Sequence, residues 1–199
     1  MNFSADSGPA AMLNNHGVLD NTGYLEVQGR SSPSGSSALL NVHHVLNNGG
    51  TLIIGGQKVY MDEFDYGGRV NVYGQFNNLQ PGVVYLDGLL FFGEVNSGAA
   101  WGAGTNAGLF INNNQFVLGS PATFYNSGTI TNYFSMGLGG WLFNSGTIDN
   151  KATLDNGGTI FNGGGSNGGA GACSIRTTDW STSAASSTKA ATASAAAAP

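Results

Sequence analysis

A six-residue repeat limits what this chain can become. From Leu118 the sequence divides without a gap into LGSPAT, FYNSGT, ITNYFS, MGLGGW, LFNSGT, IDNKAT, LDNGGT and IFNGGG. The first position is always large and apolar: Leu118, Phe124, Ile130, Met136, Leu142, Ile148, Leu154 and Ile160. The third is Asn at Asn126, Asn132, Asn144, Asn150, Asn156 and Asn162, and the sixth is most often Thr. A period of six drifts around a helix of 3.6 residues per turn instead of lining one face. Gly and Asn, 33 and 22 of the 199 residues, are also poor helix formers. Helices are excluded here.

Short extended segments fit instead. Thr followed by Ile, Leu or Phe supplies a β-prone run, as at Thr129-Ile130 and Thr147-Ile148. Asn-x-Gly then supplies a corner, since both residue types tolerate left-handed backbone. Three such sides make a coil of 18 residues, three hexads. Residues one coil apart then lie about 4.8 Å above one another. This predicts inward stacks of Leu118 with Met136 and Leu154, of Phe124 with Leu142 and Ile160, and of Ile130 with Ile148. Asn126, Asn144 and Asn162 form one amide ladder, and Asn132 with Asn150 a second. Tyr125 and Phe143, at an outward phase, stack as neighbouring coils pass. The expected fold is an all-β, single-stranded parallel β-helix with about 18 residues per coil in its C-terminal half.

The same grammar covers Leu13 to Arg30 as LNNHGV, LDNTGY and LEVQGR, and recurs from Leu46 to Gly56. Between Tyr60 and Val117 it loosens to β-type runs such as Arg69–Tyr73 and Leu89–Phe92. The expected organisation is a lead-in over 1–12, a solenoid over 13–165 and a flexible Gly/Ser/Thr/Ala-rich tail over 166–199.

Two families resemble this pattern. The segment Leu46-Asn47-Asn48-Gly49-Gly50-Thr51-Leu52-Ile53-Ile54-Gly55-Gly56 is similar to the repeats of filamentous-haemagglutinin-like adhesins and autotransporter passengers. Phe143–Asn150 and Leu154–Ile160 are in the same style. That resemblance spans roughly half the chain, and implies a right-handed β-helix used as a surface stalk or adhesin. LGSPAT and IDNKAT also resemble the hexapeptide repeats of the left-handed β-helix, a family with trimeric acyltransferases. Asn at position three and Thr at position six lie outside that family's rule.

Charge narrows the function. Only 9% of residues are charged and the formal net charge is −5. Six basic residues cannot build the cationic surface that nucleic acid requires. No apolar run approaches the length of a membrane span. One cysteine, Cys173, excludes an internal disulfide and a Cys-based metal centre. Met1–Asp6 lacks the basic and apolar regions of a signal peptide, so either the chain is not exported by that route or it is a fragment of a longer protein.

Candidate chemistry is sparse. Asp62, Glu63 and Asp65, flanked by Tyr60, Tyr66 and Arg69, form the one dense charged cluster. Carboxylates beside aromatic rings suit a sugar, a calcium ion held by hard oxygen ligands, or the paired acid and nucleophile of a glycosidase. Alternate residues of a strand face opposite ways, however, so Asp62 and Glu63 would not share a substrate. His43 and His44, consecutive in a strand, would place one ring inward and one outward, and with His16 they fall short of a metal site. Ice binding, through Thr columns on a flat face, is a third reading, carried by Thr129 with Thr147 and Ser135 with Thr153; Trp141 breaks the column of Thr123 and Thr159. The sequence favours a non-enzymatic, extracellular or cell-surface module, structural or adhesive, without a cofactor. Its partners would be glycans or copies of itself, the latter joined end to end because the open ends of a solenoid present unpaired strand edges. A carbohydrate-active enzyme is the alternative, and an ice-binding or fibre-forming protein the third.

Overall fold

The computed structural model describes residues 2–4, 11–28, 38–55, 68–93, 102–163 and 174–177. Every element among them is a strand. A lone β1 (Asn2–Ser4) precedes the first coil, formed by β2 (Met12–Asn15), β3 (Val18–Asn21) and β4 (Tyr24–Gln28). The second holds β5 (Ala38–Val42), β6 (Val45–Asn48) and β7 (Thr51–Gly55), and the third β8 (Gly68–Val72), β9 (Gln75–Asn78) and β10 (Val83–Leu86). In the fourth are β11 (Leu89–Phe92), β12 (Ala103–Asn106) and β13 (Leu109–Asn112). The fifth comprises β14 (Gln115–Leu118), β15 (Thr123–Asn126) and β16 (Thr129–Asn132). Then come β17 (Ser135–Leu138), β18 (Trp141–Asn144) and β19 (Thr147–Asn150), and last β20 (Thr153–Asn156), β21 (Thr159–Asn162) and β22 (Ser174–Thr177).

Each strand pairs in parallel with its equivalent in the next coil, which gives three sheets. Sheet I runs β2-β5-β8-β11-β14-β17-β20, and sheet II runs β3-β6-β9-β12-β15-β18-β21. Sheet III runs β1-β4-β7-β10-β13-β16-β19-β22. This is a parallel β-helix. Paired strands reach residue 2 at one end and residue 177 at the other.

Strand residues alternate between the core and the outer face, as in the burial pattern of β16, where Ile130 and Asn132 are buried and Thr129 and Thr131 half-buried. The inward second positions stack into three apolar columns. Phe124, Leu142 and Ile160 align in sheet II, and Ile130 with Ile148 in sheet III, as the repeat predicts. In sheet I the column is Phe116, Met136 and Leu154, so Leu118 belongs elsewhere. Leu118 pairs with Leu138, at the fourth strand position. The reason lies in the corner Gly119–Ala122, which holds four residues where the others around it hold two, and shifts the hexad frame. Leu79–Gly82 is a second such corner, and both contain a cis X-Pro peptide.

Mid-solenoid, Phe76, Phe92, Phe110, Phe116 and Phe124 fill the core, all fully buried. Phe92 meets Phe76, Phe116 and Phe124 edge-on with centroids 6.0, 5.8 and 5.4 Å away, the arrangement that ring quadrupoles favour. Gly104 makes room for them: a Cβ there would sit 2.5 Å from the Phe124 ring.

The fourth strand position carries the Asn ladders. In sheet II the ladder is unbroken through Asn21, Asn48, Asn78, Asn106, Asn126, Asn144 and Asn162. Each Nδ2 donates to the Oδ1 of the next rung at 2.6–2.8 Å. Most also donate to the carbonyl that opens the sheet III strand of the next coil, such as Thr51, Val83, Leu109, Thr129 and Thr147. A buried amide thus finds partners at both ends, which removes the penalty of burying it. Successive rungs are 18 residues apart at the C-terminal end but 27, 30 and 28 at the N-terminal end. Asn112, Asn132 and Asn150 form the second ladder, in sheet III.

The corner glycines have a different role from the one their sequence context suggests. Among the described residues only Gly93 has a left-handed φ, of 117°. Gly50, Gly74, Gly88, Gly108, Gly128, Gly140, Gly146 and Gly158 stand where stacked corners approach too closely for a side chain, whereas Gly17, Gly23 and Gly163 have open space around the Cβ position. A Cβ at Gly146 would lie 2.1 Å from the Gly128 carbonyl oxygen, and one at Gly108 2.1 Å from that of Gly82.

Candidate functional site

The carboxylate cluster expected to carry chemistry, Asp62, Glu63 and Asp65 with Tyr60 and Tyr66, lies outside the described residues, as do Cys173 and nearly all of the tail. Arg69 is described. It sits outward on β8, where its Nε donates to Asn71 Oδ1 at 2.6 Å and its guanidinium lies 5.9 Å from the Phe91 ring centroid. Asn71 in turn donates to Asn41, and Asn41 to Asn14, so Arg69 closes a polar ladder on the outer face of sheet I.

His43 and His44 are not on a strand. They form the two-residue corner between β5 and β6, and both are exposed. The corner follows the inward Val42, so neither ring enters the core, contrary to the expectation that one would. His16, His43 and Tyr73 occupy one corner column and stack, with centroids 4.5 and 5.0 Å apart and planes within 8° and 18° of parallel. Among the described residues no three His, Cys, Asp or Glu side chains come together as a metal-binding group.

The outer face of sheet II changes character along the axis. At its N-terminal end Asn47 donates to Asp20 at 2.7 Å, Asn77 to Asn47 at 2.8 Å, and Thr105 to Asn77 at 3.0 Å. Beyond Thr105 the same column becomes aromatic. Tyr125, Phe143 and Phe161 stack with centroids 4.9 and 4.6 Å apart and planes within 13° and 6° of parallel. The sequence pointed to the first two, and Phe161 extends the stack. Strand spacing near 4.8 Å suits ring stacking, so each added coil adds one ring without strain. Trp141 stands beside Phe143, half exposed between Thr123 and Thr159 in the neighbouring column. Four aromatic side chains therefore lie together on an outer face.

Sheet III presents an outer face of another kind. One column runs Thr51, Val83, Leu109, Thr129 and Thr147, and the other Ile53, Tyr85, Ile111 and Thr131 before reaching Asp149. No charged side chain interrupts these columns between Thr51 and Asp149. Beside Asp149, the Lys151 ammonium lies 3.4 Å from its carboxylate and 3.3 Å from the Tyr133 hydroxyl. Tyr133, then Asp149, hold that ammonium above its ordinary pKa.

Compared with protein-family models, curated proteins and solved structures, the chain matches none of them. What can be said of function rests on the faces themselves. The signal for them was present in the sequence as the third residue of each Thr-apolar-x-Asn strand. It becomes readable only when the coil register is known.

Proposed function

We propose that this chain is a non-enzymatic β-solenoid module that works outside the cell or at its surface, as a structural or adhesive element. The observation that carries the reading is the sheet II Asn ladder, which stays in register through all seven coils although coil length varies between 18 and 30 residues. A chain that absorbs insertions without losing its ladder is organised around a rigid rod. The resemblance to filamentous-haemagglutinin-like repeats points the same way. Tyr125, Trp141, Phe143 and Phe161 give the rod an aromatic stripe of the kind that sugar rings pack against.

A glycan and polysaccharide panel, scored for binding and for product release on the same samples, tests this. The expected result is binding without release, weakened about tenfold, or 1.4 kcal/mol, by Trp141→Ala. Release of oligosaccharides would overturn the reading and move attention to Asp62, Glu63 and Asp65.

The uncharged face of sheet III favours a second reading, as an ice-binding surface. Its Thr129, Thr131 and Thr147 lie in register on neighbouring coils. Thermal hysteresis that vanishes in Thr131→Lys is the outcome this reading expects, and its absence in the unsubstituted protein removes it.

A further inference from the structure

We propose that copies of this chain join head to tail in register, the last coil of one meeting the first coil of the next, and that β1 is a plug the incoming copy displaces. The proposal rests on the structural reading above and specifies its partner.

Among the described residues, β2 and β3 at one end and β20 and β21 at the other have no neighbouring strand on their outer side. Such edges are templates for a further strand. The two ends match in spacing. Leu13 and Leu19 point inward in the first coil and Leu154 and Ile160 in the last, six residues apart in both cases. Leu13, Leu19 and Leu154 pack against the core yet remain only partly covered. Stacking Leu13 on Leu154 and Leu19 on Ile160 continues both apolar columns.

The fourth position of sheet I gives the more specific sign. Read along the axis it is Asn15, Val42, Val72, Phe92, Leu118, Leu138 and Asn156. Asn stands at the two ends alone. Asn156 Oδ1 is buried without a hydrogen-bond partner, because Leu138 beneath it offers no donor. An Asn that begins a ladder in the last coil has its natural second rung in Asn15 of the next copy. The same register sets Asn162 against Asn21 and so prolongs the sheet II ladder. On the outer face it brings Asp155 to Asn14, which spends its Oδ1 on Asn41 and keeps its amide N–H as a donor for the carboxylate.

Sheet III decides which end strand must move. β1 lies under β4 with Phe3 at the Val27 rung. β22 lies over β19 with Ile175 at the Ile148 rung. Only one strand fits beneath β4. With β22 there, Ile175 takes the register position opposite Leu25 and all three sheets run on. Were β22 displaced instead, Phe3 would fall on the Asn rung of Asn150. β1 is therefore the strand that leaves.

The test is oxidation of the full-length chain carrying Cys173→Ser, Met12→Cys and Thr153→Cys. The last two are outward residues that the joint brings onto adjacent strands. Neighbouring strands about 4.8 Å apart place the pair within disulfide reach. The expected product is a ladder of covalent oligomers that grows with protein concentration. A control with Met12→Cys and Thr159→Cys, on different sheets, should give about tenfold less. Adding Phe3→Pro, which weakens β1, should lower the concentration needed by about tenfold. Equal ladders from the control, or no response to Phe3→Pro, would overturn the register or the plug respectively. A monomer that still binds glycans overturns the joint and leaves the adhesive reading standing, whereas ladders without glycan binding do the reverse.

Discussion

Gly128→Ala is expected to destabilise the solenoid by about 3 kcal/mol, a large effect for one methyl group. A Cβ at that corner would lie 2.2 Å from the Gly108 carbonyl oxygen and 2.7 Å from the Ala107 carbonyl carbon. Both obstacles are backbone, so no side chain can rotate away. Relief requires coils to part, which strains the Thr129 N–H to Gly108 carbonyl bond of 3.0 Å and the Asn106 amide to Thr129 carbonyl bond of 3.1 Å. The neighbouring corner is equally tight, since Gly146 approaches Gly128 in the same way, so strain relieved on one side reappears on the other. Gly137→Ala is the control. It lies on the outer face of sheet I with nothing within 4 Å of its Cβ, and its replacement should change stability by less than about 0.5 kcal/mol. Urea midpoints at constant m-value measure both. Repeat arrays can lose cooperativity, so hydrogen exchange at Thr129 and Thr147 should accompany them. Equal midpoints for the two variants would show that corner contact does not limit coil spacing.

This same corner shows what the sequence disclosed and what it concealed. The hexad placed Gly128 and Gly146 at corners, but attributed them to left-handed backbone. Local pattern cannot separate a residue needed for its φ from one needed because another turn passes overhead; the second cause lies about 20 residues away in the chain, where Gly108 stands. The ladder was legible for a similar reason only in part. Asn126, Asn144 and Asn162 are at constant spacing, so counting finds them. Asn21, Asn48, Asn78 and Asn106 are separated by 27, 30 and 28 residues, and no count finds those. Asn47-Asn48 and Asn77-Asn78 add a second ambiguity, for in each pair the first faces outward and the second inward. Leu118 was misassigned because two extra corner residues look, in sequence, like an ordinary hexad.

The candidate sites were less legible than the fold, since a site depends on which outer columns adjoin. Tyr125 over Phe143 followed from the 18-residue period. The sheet III face did not, because its members Ile53, Tyr85, Ile111 and Thr131 lie at uneven intervals and share a face only after insertions are removed. Three longer connections begin just past Val27, Ile54 and Phe92.

Asn126→Ala is expected to cost about 2–4 kcal/mol, because its amide serves two rungs and a corner at once. Asn126 is 1% exposed, accepts from Asn106 at 2.7 Å, and donates to Asn144 at 2.6 Å and to the Thr147 carbonyl at 3.2 Å. Alanine withdraws the acceptor beneath and the donor above, and leaves a cavity between them. Asn126→Leu fills the volume and keeps the electrostatic loss, so it should recover little. The informative variant replaces Asn106, Asn126 and Asn144 together by Leu. Sheet I already runs Val72, Phe92, Leu118 and Leu138 through the equivalent rungs, so an all-apolar column is compatible with this coil. Adjacent rungs share hydrogen bonds, and their substitution costs should therefore not add. The triple variant is expected to lie at least about 1 kcal/mol above the sum of the three single Leu variants, measured by urea unfolding. Strict additivity would mean that each amide is stabilised by its own corner carbonyl alone, and that the ladder is a consequence of stacking and no part of its cause.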